Sequence, residues 1–284
     1  MAERMIESNR VWLCAESFGE PSASAMLLIT GTGASMLWWD EEFCRRLAAG
    51  GRFVVRYDHR DTGRSLTYEP GRPGYTGSDL VADAAGLLDA LGIAAAHVVG
   101  VSSGAAMAQL LALDHPDRVR SLTLVSTSFA VASDRGLPPP VEAFGRFFSS
   151  ARVDWSDADS VVDYQVAYAR MLAGDQRPFD DAGVRALVRR DRNRARDYPA
   201  LRNHDILPED DRPHGPVSSI TLPTLVIHGT ADPLFPIEHG EALADAIPGA
   251  QLLRLANAGH GIDRTDWDRV VPAILEHTSR PEPT

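Results

Sequence analysis

Cysteine is scarce: Cys14 and Cys44 are the two in 284 residues. Thiols 30 residues apart make neither a disulfide framework nor a zinc site, so the sequence predicts reduced, buried thiols in a cytoplasmic protein. Basic residues are outnumbered, 28 Lys and Arg against 39 Asp and Glu, for a net charge of −11. That balance excludes the basic footprint of a general nucleic-acid binder and leaves an acidic surface that serves solubility. No apolar run approaches the roughly 18 residues of a membrane span, so no membrane partner is expected. The first residues, Met1 to Glu7, lack the apolar stretch of a secretory leader. No repeat of fixed period is visible. What remains, 44% hydrophobic and 24% charged, is the composition of a folded domain long enough to bury a large core without staples.

Short apolar runs recur along the chain: Met26–Ile29, Phe53–Tyr57, His97–Val101, Leu122–Val125, Thr224–Ile227 and Leu252–Leu255. Runs that are β-branched and lack clean alternation fit strands buried on both faces. Val11–Cys14 is expected as an antiparallel edge strand. Helical patterns lie between. Leu80, Val81, Ala84, Leu87, Leu88 and Leu91 fall on one helical face and stop at Gly92. Ala105–Leu113 is rich in Ala and Leu, and Trp267, Val270, Val271, Ile274 and Leu275 repeat at helical spacing. Strands alternating with helices predict a mostly parallel α/β sheet.

Residues 129 to 218 break the alternation. They begin near Pro138-Pro139-Pro140, hold many aromatics and carry an Arg-rich run from Arg185 to Arg196. This stretch is expected to be a helical cap over the carboxyl edge of the sheet, where open α/β sheets bind ligands. The chain then divides into a core of residues 1–128 and 219–284 with a cap of 129–218. The arginines read as a solvated helix face with acidic neighbours such as Asp191 and Asp197.

Gly100-Val101-Ser102-Ser103-Gly104 follows a strand and precedes a helix, the context a G-x-S-x-G turn requires. Small flanking residues let the chain turn sharply and push Ser102 out over the sheet. A serine hydroxyl needs a base, and of nine histidines His260 stands apart. It lies in Gly259-His260-Gly261 just after the last strand, whereas His228 ends a strand and reads as packed. Asp232, after the strand Leu225–His228, supplies the orienting carboxylate and gives the order Ser, Asp, His; Asp263 and Asp266 read as helix caps. Two N–H donors for an oxyanion are expected from Ser103 and from the loop Thr30-Gly31-Thr32-Gly33, with Thr32 preferred over Gly33.

Together these residues resemble the α/β-hydrolase superfamily over nearly the whole chain. The resemblance implies an eight-stranded, mostly parallel sheet with a helical cap between strands 6 and 7. Asp58-His59-Arg60-Asp61-Thr62-Gly63-Arg64-Ser65 is similar to the superfamily's D-x-R-G-x-G-x-S turn, read as structural, with Asp61 in place of glycine. Thr30 stands where many members carry His.

More narrowly, Phe53–Ser65, Trp39, Glu42-Phe43 and Ala96–Gly100 resemble aclacinomycin methylesterases, with macrolide esterases in the same neighbourhood. This implies a serine esterase acting on a small-molecule ester, either a bulky polyketide ester or a lactone. Ser102, Asp232 and His260 would be catalytic, with Thr32 and Ser103 at the oxyanion. Gly31, Gly33, Phe144, Phe148, Trp155 and Tyr168 are the candidate substrate contacts. No metal or organic cofactor is required, and oligomeric state is left open. Ser102 argues against superfamily members with an Asp nucleophile. Carbon–carbon bond hydrolases and cofactor-free perhydrolases share the triad, and a non-catalytic small-molecule receptor on this fold is the rival outside enzymology.

Overall fold

Leu27 and Ile29 face one hydrophobic layer while Met26 and Leu28, one residue out of step, face another. A strand's side chains alternate between its two faces, so a run buried throughout means that both faces are covered. The computed structural model describes residues 3–208 and 212–279. Its strands are β1 (Arg4–Ser8), β2 (Val11–Phe18), β3 (Ser24–Ile29), β4 (Arg52–Tyr57), β5 (Ala96–Val101), β6 (Val119–Val125), β7 (Thr224–Gly229) and β8 (Gln251–Leu255). They form one eight-stranded sheet in the order β1-β2-β4-β3-β5-β6-β7-β8. All pairings from β4 to β8 are parallel.

The expected edge strand, Val11–Cys14, lies one place further in. β2 pairs antiparallel with β4 on one side and with β1 on the other. The edge belongs to β1, where Ile6 and Ser8 are buried and Arg4, Met5 and Glu7 are exposed. Five residues with one apolar position on the buried face give too faint an alternation to read from sequence.

Helices cover both faces. α2 (Gly77–Ala90), α3 (Ser103–Asp114) and α7 (Ile237–Ala246) lie on the side of Leu27 and Ile29. α1 (Glu41–Ala49) and α8 (Trp267–His277) lie on the side of Met26 and Leu28, with Phe43, Leu47, Trp267 and Ile274 in that layer. α2 stops before Gly92, whose φ of 69° suits a helix terminus.

Between β6 and β7 come α4 (Glu142–Ser150), α5 (Ala158–Ala173), α6 (Asp181–Arg194) and a 3-10 turn over Tyr198–Asp205, and among the described residues 129–218 hold no strand. α5 and α6 pack through Val162, Val166 and Val188.

The arginines do not form one solvated face. Arg185 and Arg189 pair across to Asp163 and Asp159 of α5, at 2.5 and 3.8 Å. The Arg194 side chain is 7% exposed and bridges Glu3 and Asp58 of the core, each at 2.7 Å. Asp191, expected as a solvated partner, is 2% exposed and accepts from Trp38 Nε1 at 3.1 Å. Three-residue spacing puts Arg194 and Asp191 on the helix side facing the core, and sequence alone does not say which side that is.

The turn after β4 joins this seam. Asp58 also accepts from the N–H groups of Met36 and Arg64, both at 2.9 Å. Asp61 takes φ = 64°, a conformation in which Asp substitutes for glycine more readily than most residues. Its carboxylate accepts from Tyr75 Oη at 2.6 Å and from Asn203 Nδ2 of the inserted segment at 2.9 Å.

Candidate active site

β5 ends at Val101 and α3 begins at Ser103, so Ser102 alone makes the turn, with φ = 56° and ψ = −124°. A non-glycine residue held there carries strain of order 1–3 kcal/mol, which the surroundings must impose. They do: Ser102 N–H donates to Val125 O and Thr127 Oγ1 donates to Ser102 O, both at 2.9 Å. The two glycines are needed for room. A Cβ on Gly104 would collide with the carbonyl oxygens of Thr30 and Ile29, and one on Gly100 with that of Gly104.

Asp232 and His260 come together from the ends of β7 and β8. His260 Nδ1 and Asp232 Oδ2 are 2.8 Å apart. The other carboxylate oxygen accepts from the N–H groups of Leu234 and Phe235, both at 2.9 Å. Burial pushes this carboxyl up, but the His260 hydrogen bond and the Phe235 N–H outweigh it and hold the group below its ordinary value. Asp232 is thus a carboxylate with one oxygen committed to its own turn and one to the imidazole. His228 is packed, as its position predicts. It is fully buried, its Nε2 donates to Phe235 O at 2.7 Å, and its ring leaves no room for a Cβ on Gly240.

The His260 loop leans on the inserted helices. Its N–H donates to Leu172 O of α5 at 2.8 Å, and a Cβ on Gly259 would collide with the Ala173 carbonyl. Gly261, with φ = 101°, donates to Ser126 Oγ at 2.9 Å.

The loop after β3 packs on Ser102: a Cβ on Gly31 would lie 3.2 Å from the Ser102 Cβ. Thr30 closes the loop by donating from Oγ1 to Ala34 O at 2.9 Å. Gly33 N–H donates to His204 Nδ1 at 3.0 Å. Thr32 N–H has no acceptor among the described residues, and Ser103 N–H, in the first turn of α3, has no intrahelical one.

These loops open on a cavity of about 710 Å³. Ser102, His260, Thr32, Gly31, Gly33, Phe144, Phe148, Trp155 and Tyr168 all line it; Asp232 and Ser103 do not. Phe144, Phe148 and Tyr168 form one ring cluster with centroids 5.0 to 6.5 Å apart. Sequence reasoning missed Trp38, Trp39 and Phe43, which line the cavity from the core. It also missed the polar corner of Gln165, Arg202 and Asp205, in which Arg202 lies 5.0 Å over the Trp155 ring. No periodicity separates these residues from ordinary packing.

Residues 24–262 match the family described as alpha/beta hydrolase fold. The chain is 34% identical to the rhodomycin D methylesterases DauP of Streptomyces sp. (strain C5) and DnrP of Streptomyces peucetius, over 98% of its own length and of theirs. Among solved structures, the esterase RhEst1 from Rhodococcus sp. ECU1013 superposes with a TM-score of 0.79 at 22% identity, over 98% of this chain and 99% of that one. With its sheet order, its strand-to-helix turn at Ser102 and these matches, the chain belongs to the α/β-hydrolase family.

Proposed function

We propose that this chain is a serine-dependent carboxylic-ester hydrolase that works through an acyl-enzyme. Ser102 Oγ attacks the ester carbonyl while His260 Nε2 takes its proton and passes it to the leaving alcohol. Asp232 holds the His260 tautomer and stabilises the imidazolium. The N–H groups of Thr32 and Ser103 receive the oxyanion. Water, deprotonated by the same imidazole, then releases the acid and restores Ser102. The observation that carries this reading is that the strained Ser102 and the Asp232-bound His260 share one cavity.

Residues 129–218 act as a cap in this reading, and the substrate is a bulky polyketide-type ester or macrolide lactone. Support comes from the cavity's size, its aromatic walls and the methylesterases among the full-length relatives. We also assign the protein to the cytoplasm, supported by two free thiols that burial pushes up to about 12.

A p-nitrophenyl ester assay of wild type and Ser102→Ala tests the chemistry: activity should fall by several orders of magnitude in a folded variant. Mass-shift screening of polyketide esters tests the substrate. A lactone gains water on opening, whereas a methyl ester gains water and loses methanol. Hydrolysis that survived in Ser102→Ala would discard the serine mechanism.

A further inference from the structure

His204 lies near the end of the 3-10 turn of the inserted segment, yet its ring is committed to the core. Gly33 N–H, which can only donate, points at Nδ1 at 3.0 Å; the Arg60 carbonyl, which can only accept, lies 2.8 Å from Nε2. The ring is therefore neutral, with its proton on Nε2. A proton on Nδ1 would face the Gly33 N–H, and burial holds the imidazole below its ordinary pKa against the opposing pull of the Arg60 carbonyl and Asp61. A second buried imidazole backs it: His59 lies 5.9 Å from His204, ring to ring, and donates from Nε2 to Thr30 O at 3.2 Å. Two histidines thus hold the loop at both ends, His59 at Thr30 and His204 at Gly33. Thr32 sits between them with its N–H unused.

We propose that His204 is a positioning residue for the anion-binding loop: by accepting the Gly33 N–H it sets that peptide plane and leaves the Thr32 N–H for the oxyanion. This rests on the hydrolase reading above. It goes further in assigning part of the oxyanion site's geometry to the inserted segment, 171 residues away from the loop it orients. An acceptor at Nδ1 matters for the transition state, where charge grows on the carbonyl oxygen, and little for ground-state binding.

Two isosteric variants separate the two hydrogen bonds. His204→Asn offers Oδ1 where Nδ1 was; His204→Gln offers Nε2 where the ring Nε2 was and leaves Gly33 N–H without an acceptor. With a p-nitrophenyl ester, His204→Asn should keep kcat within about threefold. His204→Gln should lose about tenfold to a hundredfold in kcat with KM nearly constant. Affinity for a trifluoromethyl ketone, which forms an oxyanion on Ser102, should fall by the same factor. Equal losses in the two variants, or a loss confined to KM, would overturn the proposal. So would ¹⁵N NMR of the wild-type protein placing the His204 proton on Nδ1, a measurement that needs neither variant nor activity. Failure of the hydrolase reading is distinct, because it appears as hydrolysis surviving in Ser102→Ala.

Discussion

Thr32 and Ser103, 71 residues apart in sequence, are joined side chain to side chain: Thr32 Oγ1 donates to Ser103 Oγ at 3.0 Å. Their N–H groups are the two proposed oxyanion donors, so this bond sets the spacing between them. Thr32→Val and Ser103→Ala should each lower kcat about two- to tenfold, the worth of one partly exposed hydrogen bond. The double variant should lose no more than the worse single one, because both remove the same interaction. Steady-state kinetics of the four proteins checks this; losses that multiply would mean the bond does not couple the two donors.

Asp232→Asn should lower kcat a hundredfold or more, toward the roughly 10⁴-fold loss that the same change causes in a serine-protease triad. The amide cannot hold His260 in the required tautomer as a carboxylate does. Asp263 accepts from Thr265 N–H at 2.8 Å and caps a short 3-10 turn. Asp263→Asn should therefore cost about 1 kcal/mol of stability or less and leave kcat unchanged. Measured kcat and melting curves for both decide the matter, and equal losses in kcat would move the acid elsewhere.

Asp191 gives a pH-dependent stability. Burial pushes its carboxyl from the ordinary 3.8 up to about 6, so the folded state binds the proton more tightly than the unfolded one. The stabilisation from that proton is complete below the unfolded value and is lost as pH rises through about 6. Asp191→Asn keeps an acceptor for Trp38 Nε1 and removes the charge. The variant should gain about 1–3 kcal/mol over wild type at pH 7.5 and less at pH 5. Thermal melts at the two pH values test the sign; a gain larger at pH 5 would contradict it.

In the proposed reading, the ring cluster of Phe144, Phe148 and Tyr168 serves substrate choice and not chemistry. Alanine at Phe144, Phe148, Trp155 or Tyr168 should raise KM for a bulky ester, since each covered ring contributes on the order of 1–3 kcal/mol. A small acetyl ester should be nearly unaffected, and kcat should hold for both, because the binding lost is common to ground and transition states. Parallel changes in both esters at all four positions would make these rings packing only.

Much of the sheet was legible because buried parallel strands are short, apolar and punctuated: the six runs from Met26–Ile29 to Leu252–Leu255 each became a strand. β1 was not, since an edge strand with one covered face carries half the signal. The pairing of Asp232 with His260 follows from chain order and from both lying at carboxyl ends of strands. His204 was different. It read as one of several ordinary histidines, and its partner is chosen by how the inserted segment folds back, a tertiary fact with no local trace. Thr30 was the clue available, since a residue replacing His beside the glycines implies that something else steadies that loop. Asp191 and Arg194 were misread for a related reason: helical spacing gives faces but does not name the one that meets the core.

The Leu172 carbonyl has one more implication. It belongs to α5, and it receives the N–H of His260. Specificity modules in many enzymes are treated as exchangeable parts, to be grafted from one relative to another. In this chain the graft would not be neutral. A foreign segment spliced in after β6 brings its own backbone to the His260 loop. Unless it offers a carbonyl at the end of a helix there, the chimaera inherits a new pocket and a loosened base together. A designed exchange that is to keep this contact is best cut downstream of Ala173, so that the final turn of α5 stays in place.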